Sequence, residues 1–157
     1  MFECFCQLYL NRRPPSNSQF ILYSLGLIDC KLCPVGYYCP SGSHVPIQCP
    51  SGTYNPALMQ GSLSDCRQCV AGMACPQLAL HWPSEVCSAG YFCPAGSPQP
   101  NMTVNACPAG SYTDFHNLTA SLECTACPPG QACSAGTGGS QKPPQLCATG
   151  MCFCGTH

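Results

Sequence analysis

Three Cys-x-x-Cys pairs are the residues of this chain whose spacing best suits chemistry. They are Cys30/Cys33, Cys66/Cys69 and Cys124/Cys127. Such a pair can supply two thiolates to a tetrahedral zinc ion, or the two thiols of a redox catalyst. Successive pairs stand 36 and 58 residues apart, farther than in zinc ribbons and fingers. The Pro-rich surroundings predict no helix N-terminus that would activate a thiol. A structural zinc site is therefore the less favoured alternative, and redox catalysis is rejected.

Other groups that could carry out catalysis or bind polyanions are few. The four histidines fall at unrelated positions of the chain: His44, His81, His116 and His157. The six acidic residues offer no convincing carboxylate pair. Five Lys and Arg residues and a net charge of −1 leave no basic face for nucleic acid or an anionic membrane surface. We therefore predict no enzyme, no catalytic or cofactor-binding residue, no bound metal and no nucleic-acid partner.

Cysteine dominates the composition, with 18 in 157 residues. This fraction exceeds the level of about 8–10% above which a disulfide scaffold is expected. Seventeen Pro and 15 Gly residues interrupt the apolar stretches, so we expect no single large core. Disulfides, at about 2–4 kcal/mol each, have to replace that core. Because disulfides persist in oxidising compartments, the sequence predicts an extracellular location, in a secreted protein or the ectodomain of a cell-surface protein.

A Cys-x-x-Gly motif recurs along the chain at nearly constant spacing. It begins at Cys33, Cys49, Cys69, Cys87, Cys107, Cys127 and Cys147, in steps of 16 to 20 residues. A fixed period of this length is typical of an array of small modules. The glycines and prolines favour tight turns joining short strands. We therefore predict a small disulfide-rich fold, an elongated array of ~20-residue modules with short β-hairpins and little helix.

The motifs belong to two kinds of module. The first kind reads Cys-x-x-Gly-x-x-Cys, and Cys147 to Cys152 is a version one residue shorter. The second reads Cys-Pro-x-Gly-x-Tyr and continues through a 16-residue loop, from Cys49 to Cys66 and from Cys107 to Cys124. Every module adds two cysteines, as a disulfide framework requires. Closure of each short module on itself fits this parity, but so does offset pairing between neighbours. The self-closing pairs would be Cys33–Cys39, Cys69–Cys75, Cys87–Cys93 and Cys127–Cys133.

The motifs divide the chain into segments. These are an irregular N-terminal segment (1–29), a first repeat (30–68), an inserted half-repeat (69–86), a second repeat (87–126) and a truncated third repeat (127–157). We expect the first segment to be the start of a fragment or a weak secretory signal. Residues 134–146, rich in Gly, Ser and Pro, predict a flexible linker. The longest apolar run, 20–28, is less than half the ~20 residues that a membrane-spanning helix needs.

Some other residues have expected roles within a module. A tyrosine follows four of the module glycines closely enough for its ring to cover a disulfide: Tyr37, Tyr54, Tyr91 and Tyr112. An acid precedes the first cysteine of each Cys-x-x-Cys, at Asp29, Asp65 and Glu123. We expect these acids to cap turns rather than to bind a metal. Asn101 and Asn117 begin N-glycosylation sequons, which favour a secreted setting.

The long-loop modules resemble the ephrin-receptor-like cysteine-rich repeats of large extracellular proteins. The resemblance is carried by Cys49-Pro-Ser-Gly-Thr-Tyr through Cys66-Arg-Gln-Cys69, and by Cys107-Pro-Ala-Gly-Ser-Tyr through Cys124-Thr-Ala-Cys127. It implies a disulfide-bonded ectodomain used in adhesion, in matrix assembly or as a spacer. The modules are also similar to tumour-necrosis-factor-receptor cysteine-rich domains. That similarity implies the disulfides Cys49–Cys66 and Cys107–Cys124.

Two functions follow as hypotheses. The favoured one is an extracellular structural spacer, adhesion or matrix element within a larger protein. The alternative is a receptor-type module that binds a protein ligand. In that case the contact residues would be Leu78, Leu80, His81 and Trp82, since Trp is enriched at binding hot spots. A lone Trp in a small disulfide module also serves as a packed lid, so the spacer hypothesis is preferred.

Overall fold

The computed structural model describes residues 4–5, 30–41, 43 and 45–147. The predictions for most of the segment 1–29, for Asp29, for Cys152 and for the remainder of the third repeat lie outside these residues. We number the modules by their first cysteines. Modules one to six begin at Cys33, Cys49, Cys69, Cys87, Cys107 and Cys127.

The secondary structure consists of very short elements. The strands are β1 (Cys4–Phe5), β2 (Cys30–Lys31), β3 (Tyr37–Tyr38), β4 (Ile47–Gln48), β5 (Thr53–Tyr54), β6 (Arg67–Gln68), β7 (Met73–Ala74), β8 (Glu85–Val86), β9 (Ser111–Tyr112), β10 (Thr125–Ala126), β11 (Gln131–Ala132) and β12 (Gln145–Leu146). Three single-turn 3₁₀ helices span Leu63–Asp65, Thr103–Asn105 and Ser121–Glu123. None of the helices within the described ranges has the length and hydropathy of a membrane span.

The strands pair two by two, and each module is built around one such contact. β1 and β2 are parallel, whereas β3–β4, β7–β8, β9–β10 and β11–β12 are antiparallel. In the fourth module a single antiparallel bridge between Tyr91 and Ala106 replaces the strand pair. Each two-residue pairing therefore depends on other contacts for its stability, since an isolated hairpin is marginal in water.

A tight turn opens each module just after its first cysteine. In the first module the amide of Tyr37 donates to the carbonyl of Pro34, and Gly36 between them has a φ of +80°. A positive φ at the third residue of the turn is the geometry that favours glycine. The amide of Cys49, which begins the next module, donates back to the carbonyl of Gly36. The turn glycine of the first module thus accepts a hydrogen bond from the first residue of the next module.

Half-cystines and a few small residues fill the interior. Cys49, Cys69, Cys75, Cys87 and Cys107 are fully buried. Many large apolar side chains, such as Leu122 and Leu146, are exposed instead. The Tyr37 ring packs against Cys33 and Cys39, as predicted. Disulfides therefore take the place of a conventional core in the described residues.

The chain divides into two compact units. One contains residues 1–67 and 77–82, and the other contains residues 68–76 and 83–157. Two of the three boundaries, after residues 76 and 82, fall inside the segment 69–86, the predicted half-repeat. Residues 77–82, which follow Cys75 in the third module, belong to the first unit.

The predicted fold class, small and disulfide-rich with short β-hairpins and little helix, is confirmed. The prediction of a flexible linker at 134–146 is wrong. Gly136, Thr137 and Gly138 are buried, and β12 lies at the end of this segment. The amide of Gly136 donates to the carbonyl of Cys107 at 2.9 Å. The composition misled because the Gly and Thr residues meet the needs of close backbone packing, not of flexibility.

Candidate functional site

Six disulfides join described cysteines. They are Cys33–Cys39, Cys49–Cys66, Cys69–Cys75, Cys87–Cys93, Cys107–Cys124 and Cys127–Cys133. The structure contains both long-loop bonds that the receptor resemblance implies. Of the two pairings left open for the short modules, it contains closure of each module on itself. Cys147 is disulfide-bonded as well, while Cys152 lies outside the described residues.

The Cys-x-x-Cys pairs are split between different disulfides. Cys66 is bonded to Cys49, whereas Cys69 is bonded to Cys75. Cys124 and Cys127 are divided in the same way between the fifth and sixth modules. A disulfide sulfur is not a thiolate, and zinc requires thiolates. Across the described ranges, no three His, Cys, Asp or Glu side chains stand close enough together to hold a metal ion.

Consecutive modules are joined by one recurring backbone contact. One residue of each later module has a positive φ, and its amide donates to the first-cysteine carbonyl of the module before. We call it the docking residue. The docking residues and their acceptors are Met59 to Cys33, Ala79 to Cys49, Gly96 to Cys69, Asn117 to Cys87 and Gly136 to Cys107, at 2.8 to 3.2 Å. Met59, Ala79 and Asn117 are the described non-glycine residues with positive φ, so this contact accounts for all three.

A second backbone bond lies beside each docking residue. The residue six positions after a module's first cysteine donates its amide to the carbonyl of the residue that follows the next docking residue. The pairs are Cys39 to Gln60, Asn55 to Leu80, Cys75 to Ser97, Cys93 to Leu118 and Thr113 to Thr137, at 2.8 to 3.2 Å. Each of these bonds lies within one compact unit.

A third bond uses the module glycine. The amide of Gly36 donates to Asn55, Gly72 to Cys93, Gly90 to Thr113, and Gly110 to Cys133. Each acceptor stands six positions after the first cysteine of the next module. The same set of backbone hydrogen bonds thus recurs between the described modules.

The position six residues after a module's first cysteine is occupied by one of two kinds of residue. It is a half-cystine in the short modules, but Asn55 or Thr113 in the long-loop modules. Asn55 and Thr113 are nevertheless as buried as the half-cystines they replace. The side chain of Asn55 donates to the carbonyl of Tyr37 at 2.8 Å and accepts from the amide of Ala57 at 3.1 Å. Thr113 Oγ1 accepts from the amide of Phe115 at 3.2 Å. Polar side chains therefore hold the backbone where no disulfide is formed.

Three of the docking residues, Ala79, Asn117 and Gly136, also touch the module two places earlier. A Cβ added to Gly36 would lie 2.0 Å from the carbonyl oxygen of Ala79, and one added to Gly72 would lie 2.6 Å from that of Asn117. A Cβ on Gly90 would lie 2.5 Å from the carbonyl oxygen of Gly136. Glycine is therefore required by close backbone approach as well as by its positive φ.

The residues predicted to contact a partner lie beside one of these connections. The carbonyl of Leu80 accepts from Asn55, and the neighbouring Ala79 is a docking residue. The Trp82 ring stacks on Tyr54, with ring centroids 6.2 Å apart and an angle of 23° between the planes. Tyr54 is buried beneath it, yet Trp82 is 61% exposed. Leu78 and His81 are exposed too. Trp82 thus packs on one face and presents the rest of its ring to solvent.

The predicted capping role of two acids is confirmed. Asp65 Oδ2 accepts from the amides of Gly61 and Ser62, at 3.0 and 2.9 Å. Glu123 Oε1 accepts from the amides of Thr119 and Ala120, at 3.2 and 3.1 Å, and from the Thr119 hydroxyl. The hydroxyl bond, with the two amides, holds the pKa of Glu123 below its usual value. Both acids fasten a 3₁₀ turn directly before a disulfide.

The two sequon asparagines occupy different settings. Asn101 is exposed in the loop before the 3₁₀ helix Thr103–Asn105. Asn117 is also exposed, but its backbone forms the connection to Cys87. Asparagine tolerates positive φ better than most residues. The backbone conformation therefore favours asparagine at position 117 for a reason that is independent of glycosylation.

Sequence reasoning missed the docking residues and the role of Asn55 and Thr113. The second group carried a readable signal, because both stand where aligned modules have a cysteine. The docking residues gave a weaker signal in the sequence, since Met, Ala, Gly and Asn share no side-chain chemistry. Their common feature is a backbone angle.

Comparison with known proteins gives a limited result. No protein-family model matches the chain, and no solved structure matches it. The chain is similar to cysteine repeat modular protein A of Toxoplasma gondii, with 31% identity over 97 residues. This alignment covers 55% of the chain and 2% of the relative. The chain is thus a cysteine-rich repeat region, and it spans a small fraction of the length of the protein it matches.

Proposed function

We propose that this chain is part of an extracellular protein in which it serves as a structural spacer, adhesion or matrix element. The supporting observation is the recurring backbone connection between consecutive modules. Each module is closed by a disulfide and hydrogen-bonded to the next. Covalent loops and backbone hydrogen bonds would therefore resist a force that pulls on the two ends of the chain. Such a construction suits a load-bearing segment better than a single binding pocket.

The module type within this proposal is the ephrin-receptor-like repeat. It is supported by the Cys-Pro-x-Gly-x-Tyr loops and by their disulfides, Cys49–Cys66 and Cys107–Cys124. The name of the relative, which describes a modular cysteine repeat, agrees with an array of this kind. The array would form one stretch of a much larger protein.

We also propose that the region has no enzymatic activity. The described disulfides engage the sulfurs that would otherwise be nucleophiles or metal ligands. The one carboxyl group with a shifted pKa, Glu123 among the described residues, is an exposed turn cap with its Oε1 engaged by three donors. Neither feature resembles an activated catalytic group.

An extracellular setting can be tested by expressing the chain with a secretion signal in eukaryotic cells. We expect a secreted product without reactive thiols at the twelve cysteines of the six disulfides, and with glycan that an endoglycosidase removes. Asn101→Gln and Asn117→Asp assign the glycan, since Asp also tolerates positive φ. A retained, reduced protein that binds zinc stoichiometrically would overturn the setting.

The spacer role can be tested by pulling the unreduced chain from its two ends. At about 3.6 Å per residue, reduction should release roughly 50 Å for each long loop, which has a sequence separation of 17. Each short loop, with a separation of 6, should release about 15 Å. The unreduced chain should show none of these steps. Equal extension before and after reduction would contradict the proposal.

A receptor-type function is the second candidate, favoured by the exposed Trp82 ring. Large aromatic side chains anchor many protein interfaces. The test is binding of the secreted chain to a panel of immobilised extracellular matrix proteins. Trp82→Ala should abolish any binding that uses this surface, whereas Leu122→Ala, at a 95% exposed position, should retain it. If both variants bind like the wild type, Trp82 is only a lid over Tyr54.

A further inference from the structure

The two glycosylation sequons differ in how firmly the fold holds the groups that a modifying enzyme has to reach. A sequon is defined by an asparagine and by a hydroxyl residue two positions later, so the enzyme must reach both side chains. Asn101 and Asn117 are both exposed. The difference between the two sites therefore lies in the residues that follow each asparagine.

The hydroxyl of the second sequon is engaged within the fold. Thr119 Oγ1 donates to Glu123 Oε1, and the amide of Thr119 donates to the same oxygen at 3.2 Å. A threonine hydroxyl has one proton to donate. While that proton is held by the carboxylate, the hydroxyl has none to donate to a group of an enzyme.

The backbone of the second sequon is anchored as well. The amide of Asn117 donates to the carbonyl of Cys87 at 3.2 Å. Leu118 is 5% exposed, and its carbonyl accepts from the amide of Cys93 at 2.8 Å. Moving this segment into an enzyme therefore breaks its hydrogen bonds to the fourth module and exposes the Leu118 side chain.

The first sequon is held by fewer contacts. It lies between the loops closed by Cys87–Cys93 and Cys107–Cys124, whereas the second sequon lies inside the latter loop. Thr103 is exposed, and its hydroxyl takes part in none of the hydrogen bonds found among the described residues. Both side chains that define the first sequon are thus accessible in the folded chain.

A glycan on Asn117 is nevertheless compatible with the folded fifth module. The side chain of Asn117 is exposed, and its connection to the fourth module uses the backbone amide. Glu123 and Cys124, which complete the closed loop, follow Asn117 by six and seven residues in the chain. The sequon is therefore unrestrained by this loop until Glu123 and Cys124 are in place.

We propose that Asn117 is a glycosylation site that is used only before the Cys107–Cys124 loop closes, whereas Asn101 is an acceptor both before and after folding. In the transfer, Asn Nδ2 attacks the anomeric carbon of a polyprenyl-diphosphate-linked oligosaccharide. The nitrogen–carbon bond forms, the bond from that carbon to the diphosphate oxygen breaks, and the nitrogen loses one proton. The inference rests on the proposed extracellular function, since a chain bound for the cell exterior passes this enzyme.

The test compares the two sequons as acceptors within one molecule. The full chain is made without glycan in bacteria, oxidised, and incubated with purified oligosaccharyltransferase and its lipid-linked oligosaccharide. Peptide mass spectrometry then follows the occupancy of each site with time. We expect Asn117 to be modified at least about 100-fold more slowly than Asn101, because a protected segment reacts only from its small open population. In the reduced, alkylated chain the two rates should converge.

A substitution at Glu123 tests the engaged hydroxyl. Glu123→Ala removes the acceptor of the Thr119 proton, so it should raise the rate at Asn117 in the oxidised chain and leave the rate at Asn101 unchanged. Glu85→Ala is the matched control, since it removes an exposed carboxyl from strand β8. That control should behave like the wild type at both sites.

Two results would overturn the proposal. One is transfer to Asn117 of the oxidised wild type at the rate found for Asn101. The other is the lack of any gain at Asn117 upon reduction or in Glu123→Ala, which would show that the local sequence and not the fold limits transfer. Because enzyme and donor are supplied, neither result depends on where the chain resides. A failure of the extracellular setting would instead be seen as retention in the secretion experiment.

Discussion

Asn117 shows how a single residue can serve the architecture through its backbone. Its φ of +67° directs its amide to the carbonyl of Cys87 and its carbonyl towards Gly72. Residues with a Cβ seldom adopt this angle, and asparagine is among those that adopt it most readily. The residue type at this position is therefore restricted although the side chain is exposed.

Substitution of Asn117 should reveal the cost of that angle. We expect Asn117→Val to destabilise the connection by about 1–2 kcal/mol, because a β-branched residue is strained at positive φ. Asn117→Gly is the matched control, since it also removes the sequon but tolerates the angle. The measurement is hydrogen exchange of the Cys93 amide, which donates to Leu118. Equal exchange in the two variants would contradict the strain argument.

Two glycines of the fourth module allow the cost of a strained backbone angle to be distinguished from the cost of a clash with a neighbouring backbone. Gly90 and Gly96 both have positive φ, but a Cβ on Gly96 would meet only the Gln68 side chain, at 3.7 Å. We expect Gly96→Ala to cost about 1–2 kcal/mol for the angle alone. Gly90→Ala should cost about 1–3 kcal/mol more, because backbone atoms must move. Thermal unfolding of the oxidised proteins measures the difference, and equal midpoints would count against the close approach to Gly136.

At the scale of the element, the 3₁₀ turn Ser121–Glu123 depends on one carboxylate. Hydrogen bonds from Thr119 and Ala120 favour the charged form of Glu123 and lower its pKa. A group whose pKa is lower in the folded state stabilises the fold above its unfolded pKa. That contribution disappears as the pH falls through the folded pKa.

The pH dependence of thermal unfolding tests this cap. The wild type should lose stability as Glu123 is protonated in the acid range, whereas Glu123→Gln should lack that part of the dependence. Glu85→Gln removes an exposed carboxyl from strand β8, where none of the described hydrogen bonds makes it a cap. That control should follow the wild type. A Glu123→Gln profile identical to the wild type would refute the capping contribution.

The two kinds of disulfide loop should contribute unequally to stability. Loop-closure entropy predicts about 3 kcal/mol for a separation of 17 and about 2 kcal/mol for a separation of 6. We therefore expect the double substitution Cys107→Ala/Cys124→Ala to destabilise more than Cys69→Ala/Cys75→Ala. Denaturant unfolding of the two variants measures the order. The reverse order would show that contacts of the short loop, not chain entropy, dominate.

The elements were predictable from the sequence to the extent that they depend on local chemistry. Cys-x-x-Gly fixes a turn, and the acid before Cys66 or Cys124 caps another, so both followed from residue type. The docking residues did not, because backbone hydrogen bonds between modules leave no common side chain at Met59, Ala79 and Asn117. The prediction of a flexible linker at 134–146 was wrong for a related reason, since glycine suits both a flexible linker and a closely packed backbone.

At the scale of the whole molecule, the connections are between near neighbours in the chain. Stability in such arrays is approximately a sum of module and neighbour terms. We therefore expect the destabilisation caused by Gly90→Ala to stay local. Hydrogen exchange should rise at Cys93 and Thr113 but not at Cys39, in the first module. A uniform rise across all three amides would indicate one cooperative unit instead.

The way modules join also bears on how such a protein can change over generations. A module recognises its neighbour by carbonyls and amides, which every residue type except proline provides in full. A duplicated module that keeps its turn glycine and its docking residue can thus be inserted beside another without new complementary side chains having to arise. Gain, loss and reshuffling of whole modules cost little under this arrangement, while surface side chains diverge freely. Arrays of different length and with different surfaces are the expected products of such a lineage.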